Sequence, residues 1–526
     1  MRDFHQPGRS AVFAANGMCA TSHPLATFAA LEILKNGGNA VDAAIAGAVL
    51  LGICEPQMTG IGGDCFVLVK PAGGEDIVAL NGSGRAPAAS DAAALRAAGH
   101  KTISSLSAHS VTMPGAIDAF CKLSERFGTL GMPDLLAPAT HYAREGVPVA
   151  PRVAFDWIEA AKRLQGKAKE LFLVNGEIPQ TGQVFRAPLQ AAALEAIATH
   201  GRDGFYKGPV AEDIVACLRA AGGCHTLDDM ANVESTWEEP ISGPYRDLEV
   251  VEHPPNGQGA AALLLADIVA QFDVASMDPF GALRTHIEAE ATKLAYDARN
   301  RFLADPAYMP DPNRLLDPEL GAKLAALIDP KKAMGSPTTL SESVHKETIY
   351  ITVVDKNRMA VSLIYSIFDD FGSGLATDKF GILLHSRGAG FNLTEGHANE
   401  LGGNKRPMHT IIPGMLRQNG RVLMPFGVMG GPYQATGHAR FVSNIADYGM
   451  DLQTAIDSPR AFAWDGDLRL ERGYAQGVWQ ELSDMGHNVT LPPTAIGGAQ
   501  AIRIDPETGV LEGASDPRKD GAALGY

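Results

Sequence analysis

The stretch TIYITVVDKNRMAVSLIYSI, residues 348–367, decides the fold class of this 526-residue chain. Two runs rich in β-branched and aromatic residues, 348–355 and 359–367, are joined by the turn Lys356-Asn357-Arg358, and this pattern predicts a β-hairpin. The chain before the hairpin, from about 115 to 347, is mostly helical in its periodicity. The helices predicted there are 116–127, 153–171, 188–200, 209–221, 259–271 and 281–303.

Toward the N-terminus, the sequence predicts two helices followed by a strand. The first helix covers 25–34 and ends at a glycine pair, and Asn39 then caps a second helix that runs to about residue 52. The glycine-rich segment TGIGGD at 59–64 precedes the strand CFVLVK at 65–70. A dinucleotide-binding loop needs the strand first and the helix second, so this order argues against phosphate binding.

After the hairpin, strands alternate with helices. The predicted strands are 380–384, 421–426, 499–504 and 509–513, and the predicted helices lie near 434–448 and 474–485. The chain is therefore α/β, and we expect one compact catalytic domain because no Pro-rich, Gly-rich or charged stretch is long enough to form a linker.

Composition excludes several classes of protein. With 45% hydrophobic and 20% charged residues, the chain is globular rather than disordered. Its net charge of −16 opposes binding to nucleic acid and to anionic membranes. The six cysteines lack CxxC spacing, no export signal is evident, and the longest apolar run, 44–53, is too short to span a bilayer. We expect a cytoplasmic protein with reduced thiols.

No cofactor or metal is predicted. The sequence contains no HExxH, P-loop or EF-hand motif. His286, Glu288 and Glu290 share one predicted helix, but their spacing does not gather three ligands on one face. We interpret that helix as structural.

Nine segments together resemble the gamma-glutamyltransferase family, in the family's order and over nearly the whole chain. They are GGNAVDAAIA at 37–46, EPQMTGIGGD at 55–64, SVTMPG at 110–115, HIEAEATKLAYDARNRFLADP at 286–306, TVVD at 352–355, FGSG at 371–374, KRPMHTIIPG at 405–414, MGG at 429–431 and ASDPRKDGAALGY at 514–526. The resemblance implies a four-layer αββα sandwich of the N-terminal nucleophile hydrolases, assembled from both products of self-cleavage.

In that family a precursor cleaves itself before a threonine, and the matching bond here joins Glu347 to Thr348. The resemblance therefore implies a large subunit, 1–347, and a small subunit, 348–526, which together form one catalytic domain. A threonine hydroxyl needs a base, and the freed α-amino group, with an ordinary pKa of about 7.7–8.0, can serve as one. Without the family context, Thr348 would be an ordinary strand residue.

Five further residues take their expected roles from the resemblance. The N–H groups of Gly430 and Gly431 are expected to form the oxyanion hole, although a simple turn explains any glycine pair. Ser366 is expected to orient the nucleophile or, alternatively, to be an inward-facing polar residue of the hairpin. His409 and Thr410 stand where relatives carry paired serines that line the substrate pocket. A structural role for His409 remains the alternative.

The segments that bind an amino-acid head group depart from the family pattern. Ser83 replaces the usual carboxylate-binding arginine, with Arg85 two residues on, and Phe368 replaces an asparagine. Arg387 and Gly390 replace a glutamine and an aspartate, which removes the counter-ion of a substrate ammonium group.

These changes indicate a small carboxylate without an amino group, bound by Arg387 and Arg85, because arginine holds carboxylates in a bidentate fork. Alternatively, Arg387 is an ion-paired arginine. We therefore expect an amidohydrolase for a small anionic amide such as oxamate. A glutathione-type gamma-glutamyl hydrolase or transferase, or a non-catalytic relative, is the alternative, and assembly into a homo-oligomer is left open.

Overall fold

In a computed structural model, the described residues are 5, 8–335 and 348–526. The strands, in chain order, are β1 (Val12–Ala14), β2 (Met18–Thr21), β3 (Asp64–Lys70), β4 (Val78–Gly82), β5 (Val147–Pro148), β6 (Val184–Phe185), β7 (Thr236–Glu238), β8 (Ile241–Tyr245), β9 (Leu248–Glu252), β10 (Ile349–Val354), β11 (Ala360–Ser366), β12 (Gly414–Gln418), β13 (Arg421–Met429), β14 (Ala461–Trp464), β15 (Asp467–Leu470), β16 (Asn488–Thr490), β17 (Gly498–Ile504), β18 (Leu511–Ser515) and β19 (Ala522–Gly525).

The α-helices pack outside these strands. In chain order they are α1 (Pro24–Lys35), α2 (Ala40–Cys54), α3 (Ala92–Ala97), α4 (Ala116–Phe127), α5 (Met132–Glu145), α6 (Pro151–Ala160), α7 (Lys167–Phe172), α8 (Pro188–His200), α9 (Asp203–Tyr206), α10 (Gly208–Ala220), α11 (Leu227–Ala231), α12 (Gly259–Ala270), α13 (Ala282–Phe302), α14 (Leu320–Ala325), α15 (Tyr433–Ala446), α16 (Leu452–Asp457) and α17 (Gln476–Asp484).

Two seven-stranded antiparallel sheets form the centre of the molecule. The first has the order β1-β18-β17-β13-β12-β9-β8, and the second has the order β19-β2-β10-β11-β3-β4-β7. Each sheet combines strands from before and after residue 348. The predicted hairpin is β10 and β11, with Ile349 opposite Tyr365, and it lies in the middle of the second sheet.

Apolar side chains divide the structure into four layers. Helices α1, α2, α4 and α5 share one buried cluster with the outer face of the second sheet. Helices α12, α13 and α15 share another with the outer face of the first sheet. A smaller cluster, which includes Leu68, Val354, Met415 and Ile502, fills the space between the two sheets. The order is helix, sheet, sheet, helix, as the resemblance implies.

Several predicted elements differ from the structure. The helix predicted at 153–171 is broken into α6 and α7, because Gly166 adopts φ +45°, which ends a regular helix. The segment 380–384 forms no strand, because only Leu383 and Leu384 make β-bridges, each of them isolated, while the N–H of Phe380 binds the Asp213 carboxylate at 3.0 Å. The mostly helical stretch 115–347 also contains the unpredicted hairpin β8–β9.

All six cysteines are free thiols. In the part of the chain that the structure describes, no helix combines the length and the apolarity needed to cross a bilayer.

Candidate active site

Three polar side chains lie next to one another across three neighbouring strands of the second sheet. Ile349 pairs with Tyr365, so Thr348 lies beside Ser366, and Ser366 in turn pairs directly with Asp64. Directly opposed residues of antiparallel strands project from the same face of a sheet. Thr348, Ser366 and Asp64 therefore form a polar row, and all three are buried.

The hydroxyl groups of this row are hydrogen-bonded to each other. Thr348 Oγ1 donates to Ser366 Oγ at 3.2 Å, and Ser366 Oγ also accepts from the N–H of Phe368 at 2.9 Å. Phe368 has φ +79°, a conformation that is unusual for a bulky residue and that is commonly held in place at functional sites. The loop after β11 thus fixes the hydroxyl group that contacts Thr348.

The polar row faces the other sheet. Two residues further along the same strands, the side chains of Tyr350, Ile364 and Phe66 pack against Met429, the last residue of β13. Gly430 and Gly431 follow Met429 directly. The two glycines therefore leave the opposite sheet near the end where the polar row lies.

Gly430 and Gly431 have the backbone geometry expected of an anion site. Their φ angles are +116° and +54°, which glycine adopts without strain. Their carbonyl groups accept hydrogen bonds from the first turn of α15, which leaves the two N–H groups at a helix N-terminus, where negative charge is stabilised. Neither N–H donates to another residue that the structure describes.

Asp64 is the centre of a buried ionic cluster. Arg387 donates to both carboxylate oxygens at 3.2 Å each, and His409 Nε2 donates at 2.7 Å. His385 Nδ1 lies 3.6 Å away. Burial by itself would raise the pKa of Asp64, but the charge of Arg387 and the hydrogen bond from His409 hold that pKa well below its usual range.

Arg387 is thus an ion-paired arginine as well as a neighbour of the polar row. Its third nitrogen, Nη1, donates to Thr410 Oγ1 at 3.2 Å, and its guanidinium lies 4.4 Å from the centre of the Phe368 ring. Its positive charge is balanced by Asp64. The asparagine-to-phenylalanine and glutamine-to-arginine departures from the family pattern therefore form one packed unit.

His409 is neutral in this environment. Burial and the nearby Arg387 lower the pKa of His409 to about 3. Its ring packs 4.5 Å from that of Phe66. Because Asp64 is ionised, Nε2 must carry the proton in the bond between them, which leaves a lone pair on Nδ1. Nδ1 is buried and has no hydrogen-bond partner among the described residues.

The loop 254–258 connects the cluster to the oxyanion-hole candidate. The backbone N–H of His409 donates to the carbonyl of Asn256 at 2.8 Å. The Gln258 amide donates to the carbonyls of Thr410 and Gly431, at 2.6 Å and 3.1 Å. A single side chain therefore links the expected pocket residues to the expected oxyanion loop.

Arg85 lies apart from this group. It forms an ion pair with Asp305 at 3.2 Å and donates to the carbonyl of Asn404. It lines a cavity of about 290 Å³ together with Ser83 and Ser235. In the described part of the chain, no hydrogen bond or ion pair joins Arg85 to the polar row. Glu347 lies outside the described residues.

A second buried polar cluster lies on α13. His286 Nδ1 is 2.7 Å from His487 Nε2, and the Glu290 carboxylate is 3.9 Å from His487. Glu290 already accepts from Lys293 at 2.7 Å and from the N–H of Met334 at 2.8 Å. The cluster anchors the segment around Met334 to the C-terminal part of the chain.

No role for Asp64 was predicted from the sequence, although the segment EPQMTGIGGD at 55–64 ends in this residue. The sequence feature that could have indicated a functional role is a carboxylate at the first position of a buried strand, directly after a glycine turn. Its partners Arg387 and His409 lie more than 300 residues away in sequence, so local pattern could not reveal the cluster.

The chain is similar to known proteins over nearly its whole length. The family model for gamma-glutamyltranspeptidase matches residues 26–526. A glutathione hydrolase-like proenzyme of Bacillus subtilis is 34% identical, over 98% of this chain and 99% of that protein. An oxamate amidohydrolase proenzyme of Klebsiella pneumoniae is also 34% identical, over 97% of this chain and 98% of that protein.

Solved structures show the same architecture. A cephalosporin acylase from Bacillus halodurans superposes with a TM-score of 0.93 at 36% identity, covering 100% of this chain and 99% of that one. A gamma-glutamyltranspeptidase from Helicobacter pylori gives a TM-score of 0.57 at 27% identity, covering 64% of this chain and 99% of that one. The fold is that of the N-terminal nucleophile hydrolases, and the chain belongs to the gamma-glutamyltranspeptidase family of amide hydrolases.

Proposed function

We propose that this protein is a self-processing amidohydrolase that cleaves the C–N bond of a small carboxylated amide, such as oxamate, through an acyl ester on Thr348. Cleavage between Glu347 and Thr348 would divide the chain into subunits 1–347 and 348–526. Both sheets contain strands from each part, which supports a single domain that stays assembled after cleavage.

The chemistry begins when the freed α-amino group of Thr348 takes the proton from its own Oγ1. Oγ1 bonds to the amide carbon, and the negative charge that develops on the carbonyl oxygen is stabilised by the N–H groups of Gly430 and Gly431. The C–N bond breaks, and the proton leaves with the nitrogen as ammonia. Water then attacks the threonyl ester and releases the dicarboxylate, so that oxamate and water give oxalate and ammonia.

The observation that carries the choice of substrate is the cluster of Asp64, Arg387 and His409 beside Ser366. These side chains, together with Phe368, are buried and packed against one another, which favours a small acyl group. The Nη1 edge of Arg387 beside the Thr410 hydroxyl offers donors to a carboxylate oxygen. The similarity to an oxamate amidohydrolase also supports this choice.

A gamma-glutamyl hydrolase or transferase is the second candidate, favoured by the similarity to a glutathione hydrolase-like protein. Its substrate carries an ammonium group, and Gly390 supplies no carboxylate to bind one. Ammonia release from oxamate and glutamate release from glutathione should be measured side by side, with Thr348→Ala as the control. We expect faster turnover of oxamate, and comparable or faster turnover of glutathione would overturn the proposal.

Self-processing is tested on a denaturing gel. We expect two bands, near two-thirds and one-third of the chain. A single full-length band after prolonged incubation would show that the protein is a non-catalytic relative.

A further inference from the structure

His409 presents a buried hydrogen-bond acceptor that the mechanism above does not use. Asp64 accepts the Nε2 proton at 2.7 Å, which fixes the tautomer and leaves an unmatched lone pair on the buried Nδ1. Nδ1 has no hydrogen-bond partner among the described residues. An unmatched buried acceptor is costly, so a ligand that brings a donor to Nδ1 gains binding energy.

The surroundings of His409 determine which ligand atom fits. Asp64 and Arg387 neutralise each other, and Nε2 of His385 donates to the carbonyl of Thr112 at 2.8 Å. A lone pair in this neutral setting repels a carboxylate oxygen and attracts an N–H group. The neighbouring residue, Thr410, stands on the donor side of the site, next to Arg387 Nη1.

His409 Nδ1 is thus a hydrogen-bond acceptor and Arg387 Nη1 a donor. The two groups together match a substrate that carries an amide N–H next to a carboxylate oxygen. We propose that His409 Nδ1 accepts a hydrogen bond from the N–H of the scissile amide, so that the site selects amides over the corresponding esters. This inference rests on the proposed function and makes His409 a specificity-determining residue. Asp64 acts as its positioning residue, because it fixes the tautomer.

Two variants test the roles of the two ring nitrogens of His409 separately. In His409→Gln, the side-chain amide can still donate to Asp64 but offers no acceptor at the Nδ1 position. In His409→Asn, the shorter amide can place an oxygen near Nδ1 but does not reach Asp64. His225→Gln is the matched control, since His225 is also buried, its Nε2 contacts the carbonyl of Val111, and its Nδ1 also has no described partner.

The measurement is kcat/KM for oxamate divided by kcat/KM for the monoethyl ester of oxalic acid, with self-cleavage checked on a gel for each variant. We expect this ratio to fall by about tenfold or more in His409→Gln, as for a lost hydrogen bond to the reacting group. We expect a smaller fall in His409→Asn and no change in His225→Gln. A parallel loss of both activities in His409→Gln, or an unchanged ratio, would overturn the inference.

Failure of the proposed function would look different, because the wild-type enzyme would then hydrolyse neither oxalyl compound. In that case the same ratio is measured with L-glutamine and the γ-methyl ester of L-glutamate. A selective loss of the amide activity in His409→Gln would support the inference, and an unchanged ratio would overturn it.

Discussion

Replacing Asp64 with asparagine keeps the shape of the side chain but removes the charge at the centre of the ionic cluster. Arg387 would then be buried beside a neutral amide, and His409 would lose the carboxylate that fixes its tautomer. Asp64 and Arg387 are both fully buried, so water cannot replace the lost partner. We expect Asp64→Asn to destabilise the fold and to lower activity.

The size of the effect follows from burial. Removing one partner of a buried ion pair costs about 3–5 kcal/mol, because the other charge is left uncompensated. A protein of 526 residues has an unfolding entropy of about 1.1 kcal/mol/K, from about 2.1 cal/mol/K per residue. The melting temperature should therefore fall by about 3–5 °C. Because the pKa of Asp64 is held low in the folded state, its contribution is fully present at pH 7 and disappears as the pH falls through that lowered pKa.

The assay is calorimetry at pH 7 on Asp64→Asn, Arg387→Met and the double variant, each combined with Thr348→Ala so that the chains remain uncleaved. We expect the double variant to lose less stability than the sum of the two single variants, because it leaves no unpaired charge. Strictly additive losses would refute the conclusion that the two charges depend on each other.

Three further predictions concern neighbouring residues. Folded His409 stays neutral down to about pH 3, whereas the unfolded side chain binds a proton below about 6.5, so stability should fall as the pH drops from 6.5 toward 3. His409→Gln should weaken that pH dependence of the melting temperature, and equal pH slopes in the two proteins would contradict this prediction. Ser366→Ala should lower kcat about tenfold, because it removes the hydrogen bond to the nucleophile. The control Ser362→Ala, a change elsewhere on β11, should leave kcat nearly unchanged. Equal effects of the two substitutions on kcat would assign Ser366 a structural role only. Gly431→Ala should lower kcat about 10²–10³-fold by distorting the oxyanion loop. The control is Gly449→Ala, at a similar φ of +60° with open space around it, which should affect stability only. Comparable activity in the two variants would exclude the oxyanion role of Gly431.

Local sequence patterns predicted much of the fold. Helices 116–127 and 188–200 have the predicted ends, and Asn39 caps α2 through a capping box with Asp42, because these signals lie within a few residues of each other. The hairpin β8–β9 was missed, since Pro244 and several charged residues weaken its β-pattern although the first sheet pairs it at an edge. The pairing of β9 with β12 in the first sheet, rather than the local sequence, therefore determines that this segment forms strands.

The candidate site likewise contains residues that sequence motifs predict and contacts that they do not predict. Thr348, Gly430 and Gly431 could be proposed from family motifs alone. The polar row depends on the strand order β10-β11-β3, and the ion pair of Asp64 with Arg387 joins distant parts of the chain. No local pattern specifies those contacts. From the sequence, Arg387 could therefore be predicted only as a carboxylate-binding residue or an ion-paired one, and the structure identifies Asp64 as its ion-pair partner.

The central claim, that Thr348 is the nucleophile, is tested most directly by mass spectrometry of the enzyme quenched during turnover. We predict a small fragment that begins at Thr348 and carries the acyl group of the substrate on that first residue. A fragment that begins elsewhere, or an acyl group on a different residue, would contradict the account.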